Sequence, residues 1–394
     1  SQTMRRIPET SADSQCLQAD VRASPYFYTT CRRHLRQLDT HFPVNVTGIV
    51  TARDKFVIGF EKNEIKNRIL QFRNLSLSDE IIKQAYNLKD TRGWKISSAR
   101  KRLSEDSNWD SYYQKILYRP FDIRSIYYTD KMVDWGRPEV MRHMLEENIA
   151  LIMPKRVETK IPWQHCLCGE GIIEHVTVSL KTIDYVFPLF LYPDKEKRDL
   201  FNQHQTEKEP NVPQSLFEIL SSYYGQKPTP EDMLYYTYGL FYSNIYRETY
   251  AEFLKIDFPR VPFTANNDLF KKIGELGKEL ADLHLLKSPA LSPPVAKYQG
   301  SGDNDRIDKV TFKEDEQRIY INKDKYFEGI APEVWNYHIG GYQVLHKYLK
   351  DRKGRIMDDA PRYCHIVTAL SKTIEIQEKI DEIYPDVEKE LVNF

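Results

Sequence analysis

The sequence predicts an α+β protein: a central twisted mixed β-sheet with flanking helices, followed by a C-terminal helical part containing a small β-hairpin. Three observations predict it. Strand-like segments crowd together between Tyr118 and Tyr192 around a single helical stretch, as in one mixed sheet. Apolar residues return at helical spacing from Gln214 onward. Leu269, Ile273, Leu276, Leu280 and Leu283 then alternate steps of four and three, a coiled-coil-like seam.

In chain order, residues 1–24 form a polar segment or junction without apolar periodicity. Residues 25–117 form a strand–helix part. It begins with an aromatic strand at Pro25–Thr30, and Gly48–Phe60 reads as two strands around a polar turn at Arg53, Asp54 and Lys55. Ile65, Ile69 and Phe72 mark a helix over Glu61–Asn74, and Ser78 starts another. Trp94–Leu103 is a third helix with Lys95, Arg100, Lys101 and Arg102, a solvated face or a phosphate-contacting one.

Residues 118–258 form the central sheet-based region. Tyr118–Tyr128 reads as one strand that Pro120 restricts to an edge or bulge. Pro138 suits the first turn of a helix over Glu139–Glu147. Ile149–Met153, Trp163–Leu167, Gly171–Ser179 and Tyr185–Leu191 supply the other strands, and Pro193–Pro213 reads as an exposed polar insertion. Helices follow at Gln214–Tyr224, Pro230–Tyr246 and Arg247–Leu254. Residues 259–394 form a helical spacer or docking region. A hairpin at Val310–Phe312 and Arg318–Asn322 precedes a helix launched by Gly340–Gly341, and the last helix spans Tyr363–Tyr384.

Composition narrows the function classes. Lys plus Arg equals Asp plus Glu at 57 each, which excludes a uniformly basic protein but not a basic face. The 26 tyrosines suit half-buried positions in strands. Five cysteines, an odd number, and no signal peptide point to a reduced, cytoplasmic protein, with Cys166 and Cys168 as small apolar residues on one strand face. No apolar run is long enough for a transmembrane helix, so no membrane partner is expected. A nucleotide P-loop, a complete G-x-G-x-x-G, H-E-x-x-H, G-x-S-x-G and the Asn-Pro-Pro-Tyr-type loop of adenine methyltransferases are all absent. No catalytic, cofactor-binding or metal-ligating residues are therefore predicted.

Binding chemistry remains. Arginines beside turns and helix starts can reach phosphates or the O6/N7 edge of guanine. The candidates are Arg53, Lys55, Arg119, Arg124, Arg137, Arg142, Lys155 and Arg156, together with the helix end Lys347, Lys350, Arg352, Lys353 and Arg355. Each one alone is also explained by a surface ion pair; Arg119 and Asp122 could pair within the turn of YRPFDIR. The Lys347–Arg355 run is the strongest phosphate candidate, because in sequence only Asp351 offsets it.

The segments YRPFDIRSIYY, WGRPEVMRHML, NIALIMPKR, VFPLFLYP, YRETYAEFLKIDFPRVP and PEVWNYHIGGYQVLHKYLKDRKGR, in this order, resemble the C-terminal target-recognition (specificity) region of type ISP restriction–modification enzymes. The resemblance covers residues 25–384. It implies a module that reads a site in double-stranded DNA for an adenine-N6 methyltransferase domain of the same or a partner chain, and that is itself non-catalytic. S-adenosylmethionine, and ATP with Mg, would belong to upstream domains, and the helices at Asn267–Leu286 and Tyr363–Tyr384 would face the methyltransferase. The alternative is a protein-interaction or regulatory module without DNA contact, which would expose apolar stripes and lack a basic groove.

Overall fold

The structure is a computed structural model describing residues 35–158, 161–194 and 207–394. The N-terminal junction, the strand expected at Pro25–Thr30, Cys16 and Cys31 lie outside the described residues, as does most of the polar insertion.

β1 (Leu35–Gln37), β2 (Val46–Thr47) and β3 (Ile58–Gly59) open the chain. Between β2 and β3 the expected polar turn is a one-turn helix, Asp54–Val57, whose Phe56 and Val57 are buried. Three amphipathic helices follow: α1 (Lys62–Arg73), α2 (Asp79–Tyr86) and α3 (Ile96–Ser104). Ser78 caps α2 by accepting from the Ile81 amide at 3.3 Å. Arg100 of α3 lies on the buried side of its helix, where its guanidinium donates to the carbonyls of Phe72, Asn74 and Leu77 at 2.8, 2.6 and 2.7 Å and pairs with Asp79. The basic stretch of α3 is thus partly internal glue between helices.

The stretch read as one strand over Tyr118–Tyr128 is the turn and second arm of a hairpin, β4 (Tyr113–Arg119) and β5 (Asp122–Tyr127). Phe121 takes a positive φ of 62° at the turn, and the register shifts between Leu117 and Arg119. Next come α4 (Pro138–Met144), β6 (Ala150–Pro154), β7 (Leu167–Gly169), β8 (Ile172–Ile173) and β9 (Asp184–Pro188). These strands make two four-stranded sheets rather than one, ordered β2-β9-β6-β7 and β3-β5-β4-β8. Among the described strands only β4 and β8 run parallel, and Ile49 and Glu174 form an isolated parallel bridge. Every residue of β6 is buried, which explains its unbroken apolar run. β10 (Phe190–Leu191) pairs with β11 (Glu209–Pro210) across the polar insertion.

α5 (Gln214–Tyr224), α6 (Pro230–Tyr242), α7 (Asn244–Thr249) and α8 (Ala251–Ile256) lead to β12 (Arg260–Pro262), which pairs with β1. α9 (Asn267–His284) carries the four-three seam, and the seam is consumed internally: α9 packs on α6 and on the long C-terminal helix. The α6–α9 backbones approach through Gly239 and Gly277. A methyl on Gly239 would meet the Ile273 carbonyl at 2.6 Å, and one on Gly277 would overlap the Tyr235 carbonyl.

The expected small hairpin is a four-stranded antiparallel sheet, β13 (Lys297–Gly300), β14 (Thr311–Lys313), β15 (Arg318–Tyr320) and β16 (Lys325–Glu328). β17 (His338–Ile339) and β18 (Tyr342–Gln343) then turn at Gly340–Gly341 and feed α10 (Val344–Asp351), and α11 (Ala360–Val387) is the last helix. Tyr236, Tyr238, Tyr242, Tyr246, Tyr363 and Tyr384 are fully buried in helices rather than half-buried in strands. Their hydroxyls are paired: Tyr236 with the Pro262 carbonyl at 2.5 Å, Tyr246 with that of Arg260 at 2.7 Å, and Tyr384 with the Glu388 carboxylate. Cys166 and Cys168 are buried as small apolar groups, and burial raises both thiols, Cys168 to about 12. Among the described residues no helix is long and apolar enough to cross a membrane, and no His, Cys, Asp or Glu cluster could hold a metal ion.

Candidate nucleic-acid interface

The β4–β5 hairpin and the end of α10 are distant in sequence, and the fold puts them side by side. Asp122 joins them. Its Oδ2 accepts from Arg124 Nε at 2.9 Å and Nη2 at 2.6 Å, and its Oδ1 accepts from Arg352 Nη2 at 2.8 Å. Burial opposes ionisation of this carboxyl, but the guanidiniums of Arg352 and Arg124 outweigh burial and hold it below its usual range. Arg124 also reaches Asp351 at 3.4 Å, and Asp351 in turn takes Lys347 at 2.6 Å. Arg355 pairs with Glu64 at 2.8 Å. Phe60 is the common floor: the guanidiniums of Arg124, Arg352 and Arg355 lie 4.3, 4.9 and 4.4 Å from its ring centroid.

The sequence-predicted cations therefore divide by partner. The Lys347–Arg355 run is far better compensated than its sequence suggests, because Asp122 and Glu64 arrive from elsewhere in the chain. Arg119 is 4 % exposed and pairs with Glu174 at 2.6 Å, not with Asp122. Burial works against the Arg119 charge, and Glu174 with the rings of Tyr342 and Tyr118 overcomes it, so its pKa rises. Arg53 is 7 % exposed, held by the carbonyls of Thr51 and Met132 and by Asp134, and stacked on Trp94. Arg137 caps α4 in the left-handed region, φ 53°, beside the Trp135 ring. Arg142 is exposed and donates to the Tyr192 carbonyl at 2.8 Å. Lys155 lies 3.6 Å from Asp257. Lys55, Arg156, Lys350 and Lys353 are exposed and make no ion pair among the described residues.

Beside α10 lies a cleft of about 730 Å³, whose lining includes Glu158, Leu180, Lys181, Tyr342, Lys347 and Lys350. Three loops build it. The Gly340 amide donates to the Gln164 carbonyl at 2.8 Å, and the Gly341 amide donates to that of Val178 at 2.8 Å. Gly340 has φ 57°, and a side chain there would overlap the Val178 carbonyl, so this turn requires glycine. The Thr177–Ile183 loop is tied down from within. Asp184 Oδ2 accepts from the Val178 amide at 2.7 Å, and Thr177 Oγ1 donates to the Glu174 carbonyl at 2.7 Å. Burial pushes the Asp184 carboxyl well above its ordinary range. At the tip, Leu180 is 65 % exposed and Ile183 55 %, with Lys181 exposed between them and unpaired among the described residues.

Sequence reasoning missed Lys181, Leu180, Tyr342 and Phe60. The available signal was a lysine between apolar residues in a polar joint, SLKTID, which could not be read as a loop tip while the preceding stretch was taken as a strand. His143 and His165 are structural: burial lowers both to about 4, and His143 Nδ1 accepts from the Tyr192 amide at 2.8 Å.

Residues 40–381 match the family model described as the type ISP C-terminal specificity domain. The fold is similar to that of the ATP-dependent type ISP restriction–modification enzyme LlaBIII bound to DNA, at a TM-score of 0.65 and 21% identity over 87% of this chain and 23% of that one. A nuclease-deletion mutant of the type ISP enzyme LlaGI in complex with a DNA substrate mimic gives a TM-score of 0.63 and 20% identity, covering 89% of this chain and 29% of that one. The DrdV–DNA complex gives a TM-score of 0.70 and 19% identity, covering 93% and 39%. The chain thus spans between 23% and 39% of the length of these proteins. No curated protein matches it.

Proposed function

The chain belongs to the type ISP C-terminal specificity domain family, and from that premise we propose that it recognises a specific site in double-stranded DNA and directs an adenine-N6 methyltransferase domain, in its own or a partner chain, to that site. The observation that carries this reading is the family match over residues 40–381, supported by the fold it shares with enzymes solved on DNA. The geometry adds to it: two segments more than two hundred residues apart meet through the Arg124–Asp122–Arg352 network, beside a cleft that holds three lysines against Glu158. The chain itself acts as a binding module. S-adenosylmethionine, and ATP with Mg, act in other domains of such an enzyme, in the cytoplasm. The alternative of a protein-interaction module loses its main support, because the α9 and α11 seams it needs exposed are largely buried in the core.

The test is an electrophoretic mobility shift with the whole chain, alone and with a type ISP methyltransferase domain, on duplexes carrying randomised sites. Salt-sensitive binding enriched for one sequence is expected. Failure to shift any duplex in either arrangement overturns the reading.

A further inference from the structure

We propose that the cleft between the Thr177–Ile183 loop and α10 seats one sugar–phosphate strand of duplex DNA, with Lys181 and Lys350 as its phosphate contacts and Leu180 turned toward the bases. This rests on the DNA-recognition reading and adds to it the surface and the side chains that do the work.

The first argument is which cations are free. A phosphate competes with whatever already holds a cation. Arg53, Arg119, Arg124, Arg352 and Arg355 each have a carboxylate partner, so engaging DNA would break a pair that the fold has made. Lys181 and Lys350 are exposed, have no ion pair among the described residues, and line the same cleft. Lys347 adds a charge that it shares with Asp351. Among the described residues Glu158 is the single acid in the lining, against Lys181, Lys347 and Lys350, so this lining is net positive although the chain is neutral.

The second argument is shape and stiffness. The cleft, of about 730 Å³, is widely open to solvent, a groove rather than a pocket closed around a small ligand. One wall is a loop fixed by buried hydrogen bonds, one donated by the Thr177 hydroxyl and one accepted by the Asp184 carboxylate, and by the Gly340–Gly341 turn packed on Val178 and Ser179. A stiff loop that leaves Leu180 65 % exposed beside two lysines suits a partner whose rim is anionic and whose interior is apolar. The duplex is such a partner: phosphates line the groove edge, and thymine methyls and sugar faces lie within it.

The experiment measures binding of the whole chain to a randomised duplex pool, by fluorescence anisotropy across a salt series, followed by sequencing of the retained pool. Four proteins are compared: wild type, the K181Q/K350Q double variant, K89Q as an exposed lysine outside the cleft, and L180A. All four substitutions are at exposed positions, and melting curves confirm equal folding. K181Q/K350Q is expected to weaken binding to all duplexes alike and to reduce the log–log salt slope by about 2, at about 0.9 per lost phosphate contact. L180A is expected to keep the slope and change which sequences are retained. If wild type binds DNA while K181Q/K350Q keeps the wild-type affinity and slope, or is no weaker than K89Q, the cleft assignment is overturned and DNA recognition stands. If wild type binds no duplex, the DNA reading fails and takes the assignment with it.

Discussion

Replacing Asp122 by alanine tests whether the junction between the β4–β5 hairpin and α10 is held by charge. Asp122 is 1 % exposed and uses both carboxylate oxygens, on Arg124 and on Arg352, whose side chains are each 12 % exposed. Removing it leaves two largely buried guanidiniums without their shared carboxylate. Losing one partner of a buried pair costs about 3–5 kcal/mol. Arg124 keeps Asp351 at 3.4 Å, and Arg352 keeps the Tyr348 carbonyl at 3.2 Å. That residual pairing places the loss at the lower end, about 3 kcal/mol, or about 4 °C in Tm for a chain of this length. The pH dependence has a definite sign. The folded-state pKa of Asp122 is depressed, so its contribution is present above the unfolded value, about 3.9, and fades as pH falls through the folded value. Circular dichroism melts of D122A and wild type should therefore differ most near pH 7 and converge in acid. A D122A Tm within 1 °C of wild type at pH 7, or a deficit that widens toward acid, refutes the reasoning.

Three further outcomes follow from the same structure. Asp184→Asn should raise Tm at pH 8 and have less effect near pH 4: burial raises the folded carboxyl pKa, so its stabilising share is complete below the unfolded value and lost as pH rises, and melting across that range checks it. Gly277→Ala should cost about 1–3 kcal/mol in urea titrations, because the new methyl meets the Tyr235 carbonyl and forces α6 and α9 apart; an unchanged midpoint would mean that the helices can separate freely. Arg100→Lys should cost about 3 kcal/mol by the same assay, since one ammonium cannot reach the carbonyls of Phe72, Asn74 and Leu77 and the Asp79 carboxylate together.

Much of the architecture was legible in the sequence because it is written in local periodicity. α1, α2, α4, α5 and α9 follow from apolar spacing and from caps such as Ser78 and Pro138, and those signals act within a few residues. The strands were harder to read. Tyr118–Tyr128 looked like one strand because nothing local shows that Phe121 adopts a positive φ and folds the segment back on Tyr113–Arg119. The division into two sheets depends on which strands pair, and pairing is decided by packing between distant segments.

The sequence by itself determined the α+β class, the helical C-terminal half, the absence of recognisable catalytic motifs, and the resemblance to a specificity domain. Only the tertiary structure decided which cations are available. Lys347–Arg355 is rich in unopposed charge along the chain, yet Glu64 and Asp122 come from other elements to neutralise part of it. Lys181 is an unremarked lysine in sequence, and the fold leaves it unpaired on a rigid loop at the edge of a cleft. The physical reason is range. Helical and strand patterns are set by neighbours along the chain, whereas an ion pair forms between any two charges that folding brings within about 4 Å, however far apart they stand in sequence.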